Sequence, residues 1–239
     1  MRTPPIFRNL FSRFVGVAVF TLLVGGSAFG EKATNSFPAP FQDYRILDGG
    51  LSKDKRFALI YPKQNVFDDP NNWSMGLFLV SMEPFRVLTQ IPIPDVIVKG
   101  SGSYSLNWYT DSSFILEDDS KWGARGVFLG MVGKDETVKI IELSQEVRKA
   151  LTQTFNESHA PKFNDQVDFI FVNNGQTRWF LGNKNEVQID CICTTDPKDL
   201  KKDAWTVRFQ GVWDISKGDF TSRTITRLPK VLYYFPNAK

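Results

Sequence analysis

Short apolar runs alternate with turn-forming residues along most of this chain. The clearest example is residues 108–131, WYTDSSFILEDDSKWGARGVFLGM. This stretch predicts a strand ending at Trp108, a polar turn at 110–113, a strand from Phe114 to Glu117, a polar connection, and a strand from Gly126 to Met131. Runs of this kind, separated by turn residues at intervals of roughly 8 to 12 positions, are typical of a sandwich, a barrel or a propeller.

The same plan recurs in the chain. Three residue pairs share a spacing of 57 positions: Asp54 and Asp111, Phe57 and Phe114, and Leu59 and Leu116. The segments GLFL and GVFL, which begin at Gly76 and Gly126, are 50 positions apart. A degenerate third copy follows downstream. We therefore predict one β-rich domain, residues 31–239, with three propeller-like repeats at about 44–93, 104–143 and 165–228.

Residues 108–116, WYTDSSFIL, and more loosely residues 51–59, LSKDKRFAL, resemble the inner-strand motif of the TolB-type or PD40 propeller repeat, a relative of WD40 blades. In that motif an aromatic residue precedes Ser-Pro-Asp-Gly and a short apolar strand. Lys53 and Thr110 replace the proline here, and Lys55 and Ser112 replace the glycine. The resemblance covers part of the chain and implies four-stranded blades without implying a function.

Three repeats are fewer than the four to eight blades with which propellers typically close. A fourth blade assembled from the two chain ends and an open, twisted array of repeats are both compatible with the pattern. A β-sandwich explains the strands without the repeat. The sequence thus predicts an all-β protein with antiparallel sheets in propeller-like repeats and one packed helix, with the β-sandwich as the alternative.

The helix is predicted from SQEVRKALTQTF, which begins at Ser144 and places Val147, Ala150 and Leu151 on one face. Ser144 suits the N-cap position, and Glu146 suits the first turn. We expect the apolar stripe to pack against a sheet. Binding of a partner by this stripe is the less favoured interpretation.

The first 30 residues have the pattern of a secretory signal. Three arginines precede an uncharged apolar run from Phe14 to Val24, and small residues follow. We expect cleavage after Gly30, with cleavage after Ala28 as the close alternative, and export to the periplasm or the cell exterior. A membrane anchor needs about 20 apolar residues, which is more than this run contains. No later segment is apolar enough to span a membrane.

Removal of residues 1–30 changes the charge of the chain. The full chain has 29 basic and 26 acidic residues, and the leader contains three arginines and no acid, so 26 of each sign remain. Nucleic-acid binding needs a net or clustered basic surface. The only such cluster, Lys198, Lys201 and Lys202, is more typical of a solvated face. We predict no nucleic-acid partner.

Cys191 and Cys193 are the only cysteines. On a strand they share one face with Cα atoms about 6.6 Å apart, near the upper limit for a disulfide. A strained bridge with a thiol-redox role and two small apolar side chains are both open interpretations. His159 is the only histidine, and structural zinc needs about four ligands, so we predict no metal site and no cofactor.

A catalytic triad is not predicted either. His159 lies beyond the predicted helix, and no Gly-x-Ser-x-Gly elbow occurs in the chain. We interpret His159 as a surface or capping residue. The sequence therefore predicts no catalytic residues.

Acidic side chains are the remaining candidates for chemistry. Glu117, Asp118 and Asp119 are predicted on the loop after a strand, and Asp68 and Asp69 on the matching loop of the first repeat. Paired carboxylates can hydrolyse glycosides or hold calcium. However, neighbouring acids are usually a solvated loop, and no Asp-x-Asp-x-Asp spacing is present.

Six tryptophans provide either a sugar-binding surface or core packing, and in a protein with many strands we favour packing. They are Trp73, Trp108, Trp122, Trp179, Trp205 and Trp213, of which Trp122 is predicted to be the most exposed. These observations predict an exported, non-catalytic binding or interaction module whose partner is another envelope or extracellular protein. The alternative is a secreted hydrolase that uses the loop carboxylates.

Overall fold

A computed structural model describes residues 37–63, 76–93, 102–120, 123–159, 170–172, 178–183, 185–195 and 206–228. All of them belong to the unit Asn35–Lys239. Several residues singled out above lie outside the described residues: the predicted signal, Asp68, Asp69, Trp73, Trp122, Trp205, Lys198, Lys201, Lys202 and the side chain of His159.

The first sheet is an antiparallel meander whose strands follow chain order. Its strands are β1 (Tyr44–Leu51), β2 (Phe57–Pro62), β3 (Phe78–Met82) and β4 (Phe85–Gln90). The turn between β1 and β2 is held by Asp54, whose carboxylate accepts the Arg56 backbone N–H at 3.1 Å and the Ser52 hydroxyl at 2.8 Å. This is the local role for which aspartate is favoured in turns.

The second sheet repeats this meander. Its strands are β5 (Gly102–Thr110), β6 (Ser113–Ser120), β7 (Gly123–Val132) and β8 (Val138–Glu142). In the turn between β5 and β6 the capping oxygen comes from Thr110, whose hydroxyl accepts the Ser112 N–H at 3.2 Å. By sequence spacing Asp111 corresponds to Asp54. However, the hydroxyl of Thr110, one position earlier, accepts the equivalent hydrogen bond.

The third sheet contains four strands in the same order and a short fifth strand. They are β9 (Ile170–Phe171), β10 (Arg178–Asn183), β11 (Glu186–Thr194), β12 (Thr206–Asp214) and β13 (Asp219–Arg227). β9 pairs with the end of β11, opposite Cys193 and Thr194.

One helix, α1 (Leu143–His159), follows β8 directly. Its Val147, Ala150 and Leu151 are buried against the second and third sheets, which confirms the predicted packing. Ser144 does not act as the expected N-cap, because its hydroxyl accepts the N–H of Val127 in β7 at 3.1 Å. His159 is the last helical residue rather than a loop residue. No helix in the described ranges has the length and apolarity needed to cross a membrane.

The all-β prediction with propeller-like antiparallel repeats and one packed helix is therefore confirmed. The described residues form three separate sheets, whereas the β-sandwich alternative has two.

Alternating side chains of the second sheet face its two neighbours. Phe114 and Leu116 of β6 join a cluster with Leu59 and Leu79 of the first sheet. Ile115, between them, joins the cluster with α1 and the third sheet. Because side chains alternate between the two faces of a strand, these contacts place the second sheet between the other two.

The first strands of the three sheets approach one another. The Trp108 indole N–H in β5 donates to the Gly50 carbonyl of β1 at 3.2 Å, and the Tyr109 hydroxyl donates to the Trp179 carbonyl of β10 at 2.8 Å. Gly49 has φ of 71° beside the Leu106 carbonyl, a conformation that favours glycine. The initial strands of neighbouring sheets are thus joined by side-chain hydrogen bonds.

The two ends of the stack differ. The outer face of the first sheet carries Ala58, Ile60 and Val80, and the preceding chain covers it with Phe37 and Phe41. No residue of the third sheet joins this cluster in the described part of the chain. The described sheets are thus stacked in the order first, second, third.

Candidate functional site

The three acids of the predicted loop lie within strand β6. Glu117, Asp118 and Asp119 are paired with β5 on one side and with β7 on the other. The loop prediction was therefore wrong, because central pairing of the backbone outweighs the low strand propensity of acidic residues. Strand geometry then separates the three side chains between two faces.

Asp118 lies on the same side of β6 as Leu116 and is 1% exposed. Its carboxylate accepts a hydrogen bond from Arg125 Nη2 at 2.7 Å. Gly126 lies opposite Asp118, and Ala124 lies opposite Asp119, so Arg125 is the extra residue of a β-bulge. Bulges commonly redirect a side chain, and this one supplies the counterion of a buried acid. Burial nevertheless raises the pKa of Asp118 above its usual value.

Glu117 and Asp119 lie on the opposite side of β6, the side of Ile115 and the third sheet. Burial, with the charge of Asp119, raises the pKa of Glu117 to about 7. Burial also raises the pKa of Asp119, with the charge of Asp118 as the lesser cause. Asp119 Oδ1 is buried and has no hydrogen-bond partner among the described residues.

The Tyr109 hydroxyl interacts electrostatically with Glu117. Burial and the charge of Glu117 raise the pKa of its hydroxyl. A carboxyl group with a pKa of about 7, as in Glu117, can donate or accept a proton near neutral pH, and Asp119 lies on the same side of β6. The full set of three acids, however, does not converge on one face.

No group of three or more His, Cys, Asp or Glu side chains in the described residues is arranged to hold a metal ion. Cys191 and Cys193 are buried free thiols on one face of β11, with their Sγ atoms 3.8 Å apart. Burial, followed by the neighbouring Cys193, raises the pKa of the Cys191 thiol well above its usual range. This arrangement matches two small apolar side chains on a strand face.

The third sheet has a polar outer face, which the sequence analysis missed. The solvent-accessible part of this outer face is formed by Arg178, Phe180, Gln188, Asp190, Arg208, Gln210, Thr224 and Thr226. At the other end of the same face, Ile192, Thr194 and Thr206 are buried. Arg208 donates to both oxygens of Asp190, at 2.8 and 2.6 Å, and Gln210 donates to the same carboxylate at 3.1 Å. These bonds, led by Arg208, lower the pKa of Asp190.

Phe180 is one of two exposed large apolar side chains in the described residues, at 38% exposure. Trp179, its neighbour on the opposite face of β10, is buried, as is Trp213. The expectation that tryptophans serve packing therefore holds for Trp179 and Trp213.

A signal for the outer face was present in the sequence. In the first part of β11, the apolar Val187, Ile189 and Cys191 alternate with Gln188 and Asp190, and the alternation ends at Ile192, which is buried. Period-two alternation of this kind is typical of a half-solvated antiparallel strand.

Comparisons of this chain with known protein families, with curated proteins and with solved structures found no match. The resemblance to the TolB-type or PD40 repeat accordingly stays a prediction that rests on residues 51–59 and 108–116.

Proposed function

We propose that this protein is an exported, non-catalytic interaction module that binds another envelope or extracellular protein through the exposed end of its third sheet. The observation that carries this proposal is the difference between the two ends of the stack. Phe37 and Phe41 of the chain cover the outer face of the first sheet. The outer face of the third sheet instead presents exposed polar groups, including Arg208 and Gln210.

The side chains of this outer face are arranged for recognition before a partner arrives. Asp190 holds Arg208 through two hydrogen bonds and Gln210 through a third. Side chains that are already ordered lose less conformational entropy when a complex forms. Exposed Phe180 adds an apolar contact to the same surface. Arginine and aromatic residues are the types enriched at protein interfaces.

The site of interaction can be tested by photo-crosslinking in the source organism. A photoreactive amino acid replaces exposed Thr224 on β13, and the matched control position is Val87, which is 41% exposed on β4. We expect a discrete crosslinked protein from position 224 and none from position 87. No adduct at 224, or the same adducts at both positions, would contradict the proposed binding surface.

Export is tested separately by N-terminal sequencing of the protein recovered from the cell envelope or the medium. The proposal expects a chain that begins at Glu31. Full-length chain retained in the cytosol would contradict export.

A second candidate is a secreted hydrolase, favoured by Glu117 and Asp119 on one face of β6 and by the Glu117 pKa of about 7. General acid or base catalysis contributes about 10²–10⁴-fold in rate. If a chromogenic glycoside is turned over, Glu117→Gln and Asp119→Asn should each lower the rate about 100-fold or more, whereas the outer-face control Asp190→Asn should not. Equal rates in all variants would exclude this pair.

A further inference from the structure

We propose that a polar cleft between the second and third sheets binds a ligand with several hydroxyl groups, a saccharide or another polyol. The cleft lies beside β5 and is lined by Ser105, Asn107, Glu117, Asp119 and Trp179. It is on the inner side of the third sheet, so it is distinct from the outer face that the proposed function uses. The inference also names a ligand class for the two acids of the second candidate function, and it requires binding rather than turnover.

The strand register places four polar side chains on one face of the second sheet. In the pairing of β5 with β6, Ser105 lies opposite Glu117, and Asn107 lies opposite Ile115. Residues directly opposite each other share a face, with Cβ atoms about 4.5–5.5 Å apart. Ile115 packs in the cluster that includes the third sheet. The face turned toward the third sheet therefore carries all four polar residues: Ser105, Asn107, Glu117 and Asp119.

This face is open to solvent along β5. Ser105 and Asn107 are exposed, although their side of the strand is turned toward the third sheet. Glu117 and Asp119, on the neighbouring strand β6, are half-buried. The two exposed side chains of β5 therefore form the entrance from which a ligand reaches the two carboxyl groups.

The two carboxyl groups of the cleft receive no hydrogen bond from the described residues. Burial and neighbouring charges raise the pKa values of Glu117 and Asp119, and no hydrogen bond lowers them. Asp119 Oδ1 is buried and without a partner in the described part of the chain. Asp118, on the opposite face of the same strand, is instead bonded to Arg125. Buried polar groups are almost always hydrogen-bonded, so the two unpaired acids indicate donors that come from a ligand.

A buried donor without an acceptor lies across the interface from these acids. Trp179 is 4% exposed, and its indole N–H has no hydrogen-bond partner among the described residues. Its side chain is on the inner face of β10, in the cluster that includes Ile115 of β6. The Tyr109 hydroxyl connects the two sheets here, because it donates to the Trp179 carbonyl at 2.8 Å and interacts electrostatically with Glu117. The unpaired donor of one sheet and the unpaired acceptors of the other thus border the same cleft.

The combination of donors and acceptors specifies the ligand class. A cation would bond to the two carboxyl groups but would leave the Trp179 N–H without an acceptor. An anion would accept that N–H but would be repelled by Glu117 and Asp119 in their charged forms. A hydroxyl group both donates and accepts hydrogen bonds, so a ligand with several hydroxyls satisfies both sheets. The exposed Asn107 amide at the entrance offers a further donor and acceptor.

The test is an NMR titration of the protein with cellobiose, maltose and sorbitol, followed through the indole N–H resonances. Trp179→Phe identifies the Trp179 resonance by its loss and keeps an aromatic ring in the core. Trp213 is the internal control, because its buried indole N–H is also unpaired but its ring packs against Phe220 of β13. We expect at least one compound to shift the Trp179 resonance saturably and to leave the Trp213 resonance in place. No saturable shift with any of the three, or equal shifts of both resonances, would overturn the proposal.

Two charged compounds test the ligand class in the same titration. Butylammonium chloride supplies a cation with N–H donors, and sodium acetate supplies an anionic acceptor. We expect neither compound to shift the Trp179 resonance at concentrations that saturate the polyol effect. A saturable shift with either charged compound, without one from the polyols, would overturn the polyol class.

Two amide-to-alanine variants test the position of the site without a change in the core. Asn107→Ala removes an exposed side chain at the entrance, and the matched control Gln42→Ala removes an exposed amide that precedes β1. Loss of one hydrogen bond should weaken polyol binding by Asn107→Ala about threefold to tenfold, whereas Gln42→Ala should bind as the unmodified protein does. Equal affinities of the two variants would overturn the assigned entrance. Both residues are exposed, so unfolding midpoints equal to that of the unmodified protein are expected and show that each variant is folded.

The outcome for this inference is distinguishable from those of the proposed functions. Polyol binding without a crosslink at Thr224 would support the cleft and remove the interaction through the outer face. A crosslink at Thr224 without a polyol-induced shift would support the interaction module and overturn the cleft. Polyol binding without turnover of the chromogenic glycoside would support the cleft and remove the hydrolase.

Discussion

The second sheet contacts both of its neighbours, but the buried polar groups at the two interfaces differ in their hydrogen bonding. Toward the first sheet, the buried carboxylate of Asp118 is paired with Arg125. Toward the third sheet, three buried polar atoms have no hydrogen-bond partner among the described residues: Asp119 Oδ1, Trp179 Nε1 and Trp213 Nε1. An unsatisfied buried polar group costs about 1–3 kcal/mol. These three atoms therefore lower the stability of the interface with the third sheet.

The outer ends of the stack show the same asymmetry. The outer face of the first sheet is covered by its own chain, whereas the outer face of the third sheet is partly exposed, at Arg208 and Gln210 among others. We propose that this exposed part binds a partner. Four predictions test this difference.

The largest effect is expected at the covered end. Ile60 is 0% exposed on the outer face of the first sheet, and Ile60→Ala should lower the free energy of unfolding by about 2–5 kcal/mol. The matched outer-face change, Gln210→Ala, should remain within about 0.5 kcal/mol. Urea denaturation of both variants checks this. Similar losses would mean that the outer face of the third sheet is covered as well.

Loss of the Asp118 counterion should be nearly as costly. Arg125→Ala leaves a buried carboxylate unpaired, and we expect a loss of about 2–4 kcal/mol at pH 7, since Arg125 itself is partly exposed. The loss should shrink in acid, where Asp118 takes up a proton, and Asp118→Asn should restore much of the stability. Denaturation at pH 5 and pH 7 provides the measurement. A pH-independent loss would show that packing, rather than charge, is responsible.

The interface with the third sheet should respond to pH. The folded pKa of Glu117 is raised from 4.5 to about 7, so the folded state binds the proton more tightly than the unfolded chain. Its stabilising contribution is complete below pH 4.5 and is lost as pH rises to about 7. We expect unfolding free energy to fall by about 1–3 kcal/mol across this window, and Glu117→Gln to remove most of the slope. An unchanged slope in the variant would assign the titration elsewhere.

The smallest effect is expected on the exposed outer face. Arg208→Ala breaks two hydrogen bonds to Asp190, yet it should cost less than about 1 kcal/mol because both side chains contact water. High salt should reduce the difference from the unmodified protein further. A loss comparable to that of Ile60→Ala would mean that the Arg208 pair is structural rather than available for recognition.

Local patterns in the sequence predicted much of this architecture. Turn residues such as Asp54 and the apolar stripe of α1 act over a few positions. The sequence alone therefore predicts the strand–turn–strand units and the helix. The acids of β6 were misplaced because their composition indicates a loop. Only hydrogen-bonded pairing with β5 and β7, the strands before and after them, makes them part of a strand.

The candidate functional surfaces also combine features that the sequence predicts with features that only the tertiary structure shows. The alternation of apolar and polar residues in β11 is visible in the sequence. Which face of the strand stays exposed depends on the segments that pack against the sheet. The Asp118–Arg125 pair depends on a bulge, and the sequence does not show which residue is left unpaired. The sequence by itself determined the strands and their alternation, because these follow from side-chain chemistry at neighbouring positions. The tertiary structure decided which faces were covered and which acids were separated, because these depend on how strands pair and sheets pack.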